Sequence, residues 1–125
     1  MKFLLVDDSR TMRNIWKKVL SGLENSEIVE AGDGVEGLNA IKESGPVDMM
    51  LVDWNMPNMD GLSMVKKVRE TDKATPIIMV TTEAEKPRII EAIKAGVNNY
   101  VVKPFTPDAL LGKIDETLKR VGQTA

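Results

Sequence analysis

This chain of 125 residues contains neither cysteine nor histidine. The absence of cysteine excludes disulfide bonds, thiolate metal sites and cysteine nucleophiles. The absence of histidine excludes serine–histidine catalysis and removes the commonest ligand of transition metals. Any chemistry must therefore rely on carboxylates, hydroxyl groups and lysine, with or without a metal ion.

Long apolar runs and a strong net charge are also absent. No segment approaches the roughly 18 to 20 consecutive apolar residues of a membrane span. The first residues, MKFLLVDDSR, reach two acids too early for a signal peptide and predict a buried strand instead. A net charge of −2 provides no basic surface for nucleic acid. We therefore expect one cytoplasmic domain over residues 1–125, with no nucleic-acid or membrane partner.

Five short apolar runs alternate with longer amphipathic segments along the chain. The predicted strands are KFLLV (2–6), SEIVE (26–30), DMMLVD (48–53), PIIMV (76–80) and NYVVK (99–103). The third and fourth are almost continuously apolar, as strands buried on both faces are. The second is short and flanked by acids, which favours the edge of a sheet.

The segments that follow these runs carry helix signals. Asp33, Asp60 and Thr106 are predicted N-caps, and Pro87 suits a first helical turn. The first helix is expected to pack through apolar residues at three- and four-residue spacing, namely Met12, Ile15, Val19 and Leu23. Trp16 is expected to fill or flank the same packing face. The apolar residues of the fourth helix are Ile89, Ile90 and Ile93.

A strand followed by a helix, five times over, predicts a parallel sheet with right-handed crossovers and helices on both faces. The compact arrangement of this kind is a doubly wound (βα)5, flavodoxin-like α/β fold with strand order 2-1-3-4-5. Its topological switch point lies between the first and third strands, and ligands collect there at the carboxyl ends.

Charged residues end three of these strands. Asp7 and Asp8 follow the first strand, Asp53 ends the third and Lys103 ends the fifth. Two like charges about 4 Å apart repel by roughly 4 kcal/mol at an effective dielectric near 20, so converging carboxylates favour a divalent cation. Asp7 and Asp8 could instead cap the first helix, but the presence of Asp53 and Lys103 favours a metal site. Trp54, beside Asp53, is expected in a half-exposed loop.

Four motifs stand in order at the predicted strand ends: DDSRTMR, DWNMPNMDG, TTEAE and GVNNYVVKPF. Together they resemble the receiver domain of two-component response regulators over the whole chain, and within that family the stand-alone chemotaxis type (CheY-like). The resemblance implies that Asp53 accepts a phosphoryl group and that the Lys103–Pro104 bond is cis. The implied ligands of Mg²⁺ are Asp8 and Asp53 directly, Asp7 through water, and the backbone carbonyl of Asn55.

The same resemblance implies roles for residues around the acids. Thr81 and Lys103 contact the phosphoryl oxygens, and Tyr100 is an aromatic switch that turns inward when Thr81 moves. Asn55 and Glu83 tune the rate at which water removes the phosphoryl group. Without the resemblance, packing explains Tyr100 equally well, and Lys103 is explained by a strand end that reaches solvent.

The resemblance also implies partners. A histidine kinase of the chemotaxis type supplies the phosphoryl group, because the chain has no histidine to carry one. Since the sequence ends with the fifth helix, we expect no output domain. The fourth helix, fifth strand and fifth helix are expected to bind a flagellar motor switch protein. A phosphatase partner and a monomeric state are also expected. The alternative is a phosphate shuttle or sink that exchanges phosphate with a histidine phosphotransfer protein.

Two other functional classes fit the sequence less well. A flavodoxin-type cofactor binder needs a hydroxyl- and glycine-rich phosphate loop after the first strand, where this chain has DDSRTMR. A phosphatase of the aspartyl-phosphate class needs a second acid two residues after its nucleophile, where this chain has Asn55. We therefore expect a signalling protein that catalyses only its own phosphorylation and dephosphorylation.

Overall fold

Strands and helices alternate along the computed structural model, which describes residues 1–23 and 25–121. The strands are β1 Lys2–Val6, β2 Glu27–Ala31, β3 Met49–Val52, β4 Ile77–Thr81 and β5 Asn99–Val102. The helices are α1 Arg10–Leu20, α2 Gly34–Ser44, α3 Gly61–Arg69, α4 Lys86–Ala95 and α5 Pro107–Arg120. None of these described helices is long and apolar enough to cross a membrane.

The five strands form one parallel sheet with the order β2-β1-β3-β4-β5. This order confirms the predicted doubly wound, flavodoxin-like fold and the edge position of β2. Val6 of β1 lies beside Val52 of β3 in the register, so Asp7 and Asp53 follow at the same level. The carboxyl ends of β1 and β3 therefore meet at the switch point with their acids side by side.

The sheet is buried on both faces because alternate residues of its strands pack against different helices. Leu4 of β1 belongs to the core cluster that contains Met64 of α3. Phe3 belongs to the cluster on the opposite face, which contains Trp16 of α1. Helices α2, α3 and α4 cover the first face, and α1 and α5 cover the second. The central strands are thus packed on both of their faces.

The packing face of α1 differs from the predicted one. Ile15 is 43% exposed, whereas Trp16, Val19 and Leu20 are buried. Trp16 faces the sheet, and because successive helical residues are about 100° apart, Ile15 turns toward solvent. The expectation for Trp16 is confirmed, and the expectation for Ile15 is wrong.

Helix α4 also packs through a residue outside its predicted apolar set. Ala92 is buried, while Ile90 and Ile93 are 42% and 48% exposed. The small side chain of Ala92 allows the helix to lie close to the sheet, and the two bulkier residues stay outside. The surface of α4 therefore carries two exposed isoleucines.

Asp72 organises the turn after α3. Its carboxylate accepts hydrogen bonds from the backbone N–H groups of Ala74 and Thr75 and from the Thr75 hydroxyl. Burial raises the pKa of Asp72, but the hydrogen bonds and the charge of Arg69 lower it by more. The net result is a pKa below the usual value of an aspartate.

We predict that Asp72→Asn lowers the free energy of unfolding by about 1 kcal/mol at neutral pH, because the carboxylate hydrogen bonds are weakened. A folded-state pKa below the unfolded one stabilises the fold above the unfolded value, near 4, and this stabilisation is lost as the pH falls through the folded value. Urea unfolding should therefore show the gap between wild type and variant closing below about pH 4. A gap that stays constant in more acidic buffer would contradict this account.

Candidate functional site

The three acids that follow β1 and β3 lie together at the carboxyl edge of the sheet. The backbone N–H of Asp53 donates to the carbonyl of Val6 at 2.9 Å, which extends the β1–β3 pairing to the acids. One carboxylate oxygen from each of Asp7, Asp8 and Asp53 lies within 4.8 Å of the others. Asp7 and Asp53 are buried, and Asp8 is exposed. The structure thus brings together the three side chains named as metal ligands from the sequence.

Local backbone contacts fix the two buried carboxylates. The N–H of Ser9 donates to Asp7 Oδ1 at 2.8 Å, and the N–H of Trp54 donates to Asp53 Oδ1 at 2.7 Å. Ser9 is also the N-cap of α1, because its hydroxyl accepts a hydrogen bond from the N–H of Met12. The capping role that was an alternative for the acids is therefore filled by Ser9, and Oδ2 of each buried carboxylate is left for other partners.

Lys103 occupies the other side of the acidic site. Its ammonium donates to Asp7 Oδ2 at 2.8 Å and to Asp53 Oδ2 at 3.2 Å. The backbone N–H of Lys103 donates to the carbonyl of Thr81, which aligns the end of β5 with β4. The Lys103–Pro104 bond is cis, as the resemblance implies. The lysine therefore bridges the two buried carboxylates from a separate strand.

The charges of the site favour a bound cation. Burial raises the pKa of Asp53, Lys103 lowers it and Asp7 raises it, with a net result above the usual value. Three carboxylates against one ammonium leave two negative charges uncompensated. Carboxylate oxygens are the ligands that Mg²⁺ prefers, and Mg²⁺ usually keeps several waters in its shell. The residues present therefore fit Mg²⁺.

We predict that Mg²⁺ raises the melting temperature of the protein, because a ligand that binds only the folded state stabilises it by about 2.7 kcal/mol at a hundred times its dissociation constant. Asp8→Asn should remove most of this response. Asp8 is exposed, so the variant without metal should be at least as stable as wild type, with one repelling charge fewer. Thermal unfolding of wild type and variant with and without Mg²⁺, at constant ionic strength, measures both the response to Mg²⁺ and the stability without metal. Unchanged melting and unchanged tryptophan fluorescence in the wild type would exclude a metal site.

The remaining predicted residues surround the acids. Thr81 is buried at the end of β4, and its hydroxyl accepts a hydrogen bond from the N–H of Glu83. The side-chain amide of Asn55 donates to Glu83 Oε1 at 3.0 Å, so these two residues are in direct contact. The hydroxyl of Tyr100 donates to the carbonyl of Glu83 at 2.6 Å. Burial, together with the charge of Glu83, raises the pKa of Tyr100 to about 12, so it is protonated at neutral pH.

Trp54 is buried, and the prediction of a half-exposed loop residue is wrong. Its side chain is 3% exposed and belongs to the core cluster that contains Met64. The guanidinium of Arg88 on α4 covers the ring, with Cζ 5.2 Å from the ring centroid. The loop after β3 therefore folds inward beneath α4, and Trp54 connects the acidic site to that helix.

The loop between β3 and α3 follows the backbone of Asp53 closely. The N–H of Gly61 donates to the carbonyl of Trp54, and a Cβ at position 61 would lie 2.0 Å from the carbonyl oxygen of Asp53. The side-chain amide of Asn58 donates to Asp33 Oδ2 at 2.8 Å and ties the loop to α2. This loop, which also carries Asn55, is therefore fixed at both of its sides.

Sequence reasoning gave no role at the site to three residues that shape it, namely Ser9, Gly61 and Trp16, of which Trp16 was expected only to pack. A serine before a helix is a recognisable N-cap signal, so Ser9 could have been identified. Nothing in the sequence indicates that Gly61 touches the backbone of Asp53 or that the ammonium of Lys103 lies over the ring of Trp16. Both contacts join residues from different elements.

Comparison with known proteins gives a consistent result. Residues 3–115 match the model of the response regulator receiver domain. The chain is 51% identical over 120 residues to a chemotaxis protein CheY homolog of Campylobacter jejuni, covering 94% of this chain and 92% of that protein. It is 50% identical over 120 residues to the chemotaxis protein CheY1 of Helicobacter pylori, covering 94% and 97%. A solved complex of CheX, CheY, BeF3 and Mg²⁺ from Borrelia burgdorferi superposes with a TM-score of 0.89 at 25% identity, covering 94% of this chain and 89% of that one.

Proposed function

Because this chain belongs to the response regulator receiver domain family and is a CheY-like receiver, we propose that phosphorylation of Asp53 switches its binding to a target protein in chemotaxis signalling. The observation that carries the proposal is the setting of Asp53. Its carboxylate is buried beside two further acids, one oxygen is held by a backbone N–H, and the other faces the ammonium of Lys103.

The chemistry begins with a carboxylate oxygen of Asp53 as the nucleophile. It attacks the phosphorus of a phosphohistidine on a histidine kinase. A P–O bond forms, the P–N bond breaks, and the electron pair stays on the imidazole nitrogen. Because this chain has no histidine, the donor must be another protein or a small phosphodonor.

The transferring phosphoryl group carries its charge on equatorial oxygens, so positioning and charge neutralisation account for most of the catalysis. Lys103 would contact these oxygens from one side, and the hydroxyl of Thr81 would contact them from another. The residues that would hold Mg²⁺ are Asp7, Asp8, Asp53 and the backbone carbonyl of Asn55. When bound, Mg²⁺ would neutralise charge on the phosphoryl oxygens.

Asn55 and Glu83 are proposed to control the removal of the phosphoryl group. Water attacks phosphorus, the bond between phosphorus and the Asp53 oxygen breaks, and inorganic phosphate leaves a free carboxylate. The hydrogen bond between Asn55 and Glu83 places an amide and a carboxylate together beside the site, where they can orient or exclude that water. The protein thus acts on its own side chain and serves as a signalling protein.

The output surface is proposed to comprise α4, β5 and α5. Its exposed apolar side chains include Ile93 and Val102. Its exposed lysines include Lys86, Lys94 and Lys113. This combination suits an acidic partner segment with apolar residues. We propose that the partner is a flagellar motor switch protein. The chain would bind it as a monomer in the cytoplasm. The hydrogen bond from Tyr100 to the loop after β4 would let that surface respond to events at Thr81.

Two observations bear on the partners. The relatives near 50% identity carry chemotaxis names, which does not favour the shuttle or sink alternative. The CheY of Borrelia burgdorferi was solved in a complex with CheX. By analogy, we propose that a second partner, a phosphatase, acts on the phosphorylated form of this chain.

A comparison of two baits tests this function. Two baits are used to bind proteins from the source organism's lysate: the wild-type chain and the Asp53→Ala chain. Both are supplied with Mg²⁺ and beryllofluoride, a mimic of the phosphoryl group. We expect a motor switch component on the wild-type bait only. If both baits captured only histidine phosphotransfer proteins or kinases, and to the same extent, the result would contradict the motor function and support the shuttle.

A further inference from the structure

Trp16 lies directly beneath the ammonium of Lys103. The tryptophan belongs to α1 and is fully buried, at 0% exposure. The Nζ atom of Lys103 lies over the ring, 5.6 Å from its centroid, within the range of a cation–π contact. Residues from two distant parts of the chain thus meet under the acidic site.

The ammonium has three N–H donors and three neighbours of two kinds. Two of the neighbours are the Oδ2 atoms of Asp7 and Asp53, and the third is the face of the Trp16 ring. The Lys103 side chain is only 11% exposed, so solvent competes weakly for it. The ring therefore forms one wall of the lysine's surroundings.

Packing alone does not account for an indole at this position. The Trp16 Nε1 atom is buried and has no hydrogen-bond partner among the residues that the structure describes. A buried unpaired donor is unfavourable, and an apolar side chain would fill the core without one. What tryptophan adds is its ring face, the strongest aromatic partner for a cation.

We propose that Trp16 is a positioning residue that holds Lys103 in place for phosphoryl transfer, an inference that rests on the proposed function. The ion pairs of Lys103 with Asp7 and Asp53 weaken when those carboxylates pair with another cation or when Asp53 is phosphorylated. Neither event changes the ring face of Trp16, which can still contact the ammonium. It therefore keeps the ammonium directed at Asp53 when the carboxylates no longer do.

Trp16→Phe and Trp16→Met test this proposal as a matched pair. Both shorten the side chain and remove the indole N–H, but only phenylalanine retains an aromatic face. With phosphoramidate as donor and saturating Mg²⁺, the Phe variant should be phosphorylated within about threefold of the wild-type rate and the Met variant about tenfold more slowly. Thermal unfolding identifies a temperature at which both variants are folded. Equal rates for the two variants would overturn the proposal.

A second measurement needs neither phosphorylation nor metal. The ring current of Trp16 should move the ε-methylene protons of Lys103 upfield of those of the other lysines in the NMR spectrum of the metal-free wild type. The Phe variant should keep part of this shift, and the Met variant should lose it. A Lys103 signal in the range of the other lysines would overturn the proposal even if the Met variant fails to fold.

The two measurements separate this inference from the proposed function. If the wild type itself takes up no phosphoryl group, the proposed function fails, because this result does not depend on any substitution of Trp16. If the wild type is phosphorylated but the Phe and Met variants behave alike, only the role of Trp16 fails.

Discussion

Replacing Asp53 with asparagine is expected to abolish phosphoryl transfer to this chain. The amide oxygen is a poor nucleophile, and it lacks the negative charge that the ammonium of Lys103 meets at 3.2 Å in the wild type. We expect the rate of labelling by phosphoramidate to fall by at least about a hundredfold. The measurement is intact mass after incubation with donor and Mg²⁺.

The matched control is Asp115→Asn on the surface of α5. Asp115 pairs with Lys119 in an exposed helical ion pair, and such pairs contribute little to stability. This variant should be labelled at the wild-type rate. Labelling of Asp53→Asn at the same rate would mean that another residue accepts the phosphoryl group.

Gly61→Ala is expected to give the largest loss of stability among single substitutions near the site. The added Cβ would lie 2.0 Å from the carbonyl oxygen of Asp53, far inside van der Waals contact, and the obstacle is backbone that cannot rotate away. Either the loop after β3 or the start of α3 must move. We expect the free energy of unfolding to fall by about 3 kcal/mol in urea titrations, with slower phosphorylation because Asp53 is displaced.

Gly112→Ala provides the control for this substitution. Gly112 lies in α5, and a Cβ there would meet no atom within 4 Å apart from its chain neighbours and the backbone of its own helix. Alanine favours the helix over glycine by about 0.5–1 kcal/mol, so this variant should be slightly more stable than wild type. If Gly61→Ala were as stable as Gly112→Ala, the close approach of α3 to Asp53 would be excluded.

The strand order and the acidic site could be predicted because both depend on simple local patterns. Continuous apolar runs mark β3 and β4, and charged residues end or follow the first, third and fifth strands. Once five strands alternate with five helices, the fold rules place the ends of β1 and β3 side by side. The proximity of the carboxylates of Asp7, Asp8 and Asp53 follows from that placement.

The failures concern the orientation of single side chains. The spacing of Met12, Ile15 and Val19 suggested one packing face of α1, but the bulk of Trp16 decides which side meets the sheet. Trp54 follows a strand within a polar loop, which suggested exposure. Its burial depends on residues of other elements, such as Met64 of α3 in the same core cluster and Arg88 of α4 over the ring, and local sequence contains no information on those contacts.

The roles of Thr81, Tyr100, Asn55 and Glu83 came from the family resemblance. Their residue types alone are compatible with ordinary strand and loop positions. The structure adds contacts that make the roles testable, such as the hydrogen bond between Asn55 and Glu83 and the one from Tyr100 to the loop after β4. The first contact joins the loop after β3 to the loop after β4, and the second joins β5 to the loop after β4.

The central claim is that the phosphoryl group is carried by the carboxylate of Asp53, and it can be tested by mapping the modified residue in the wild-type protein. The protein is incubated with phosphoramidate and Mg²⁺, and borohydride then reduces any aspartyl phosphate to homoserine. Peptide mass spectrometry locates the change. We expect homoserine at position 53 and an unmodified Asp7 and Asp8. Homoserine at another position, or none at any position, would contradict the account.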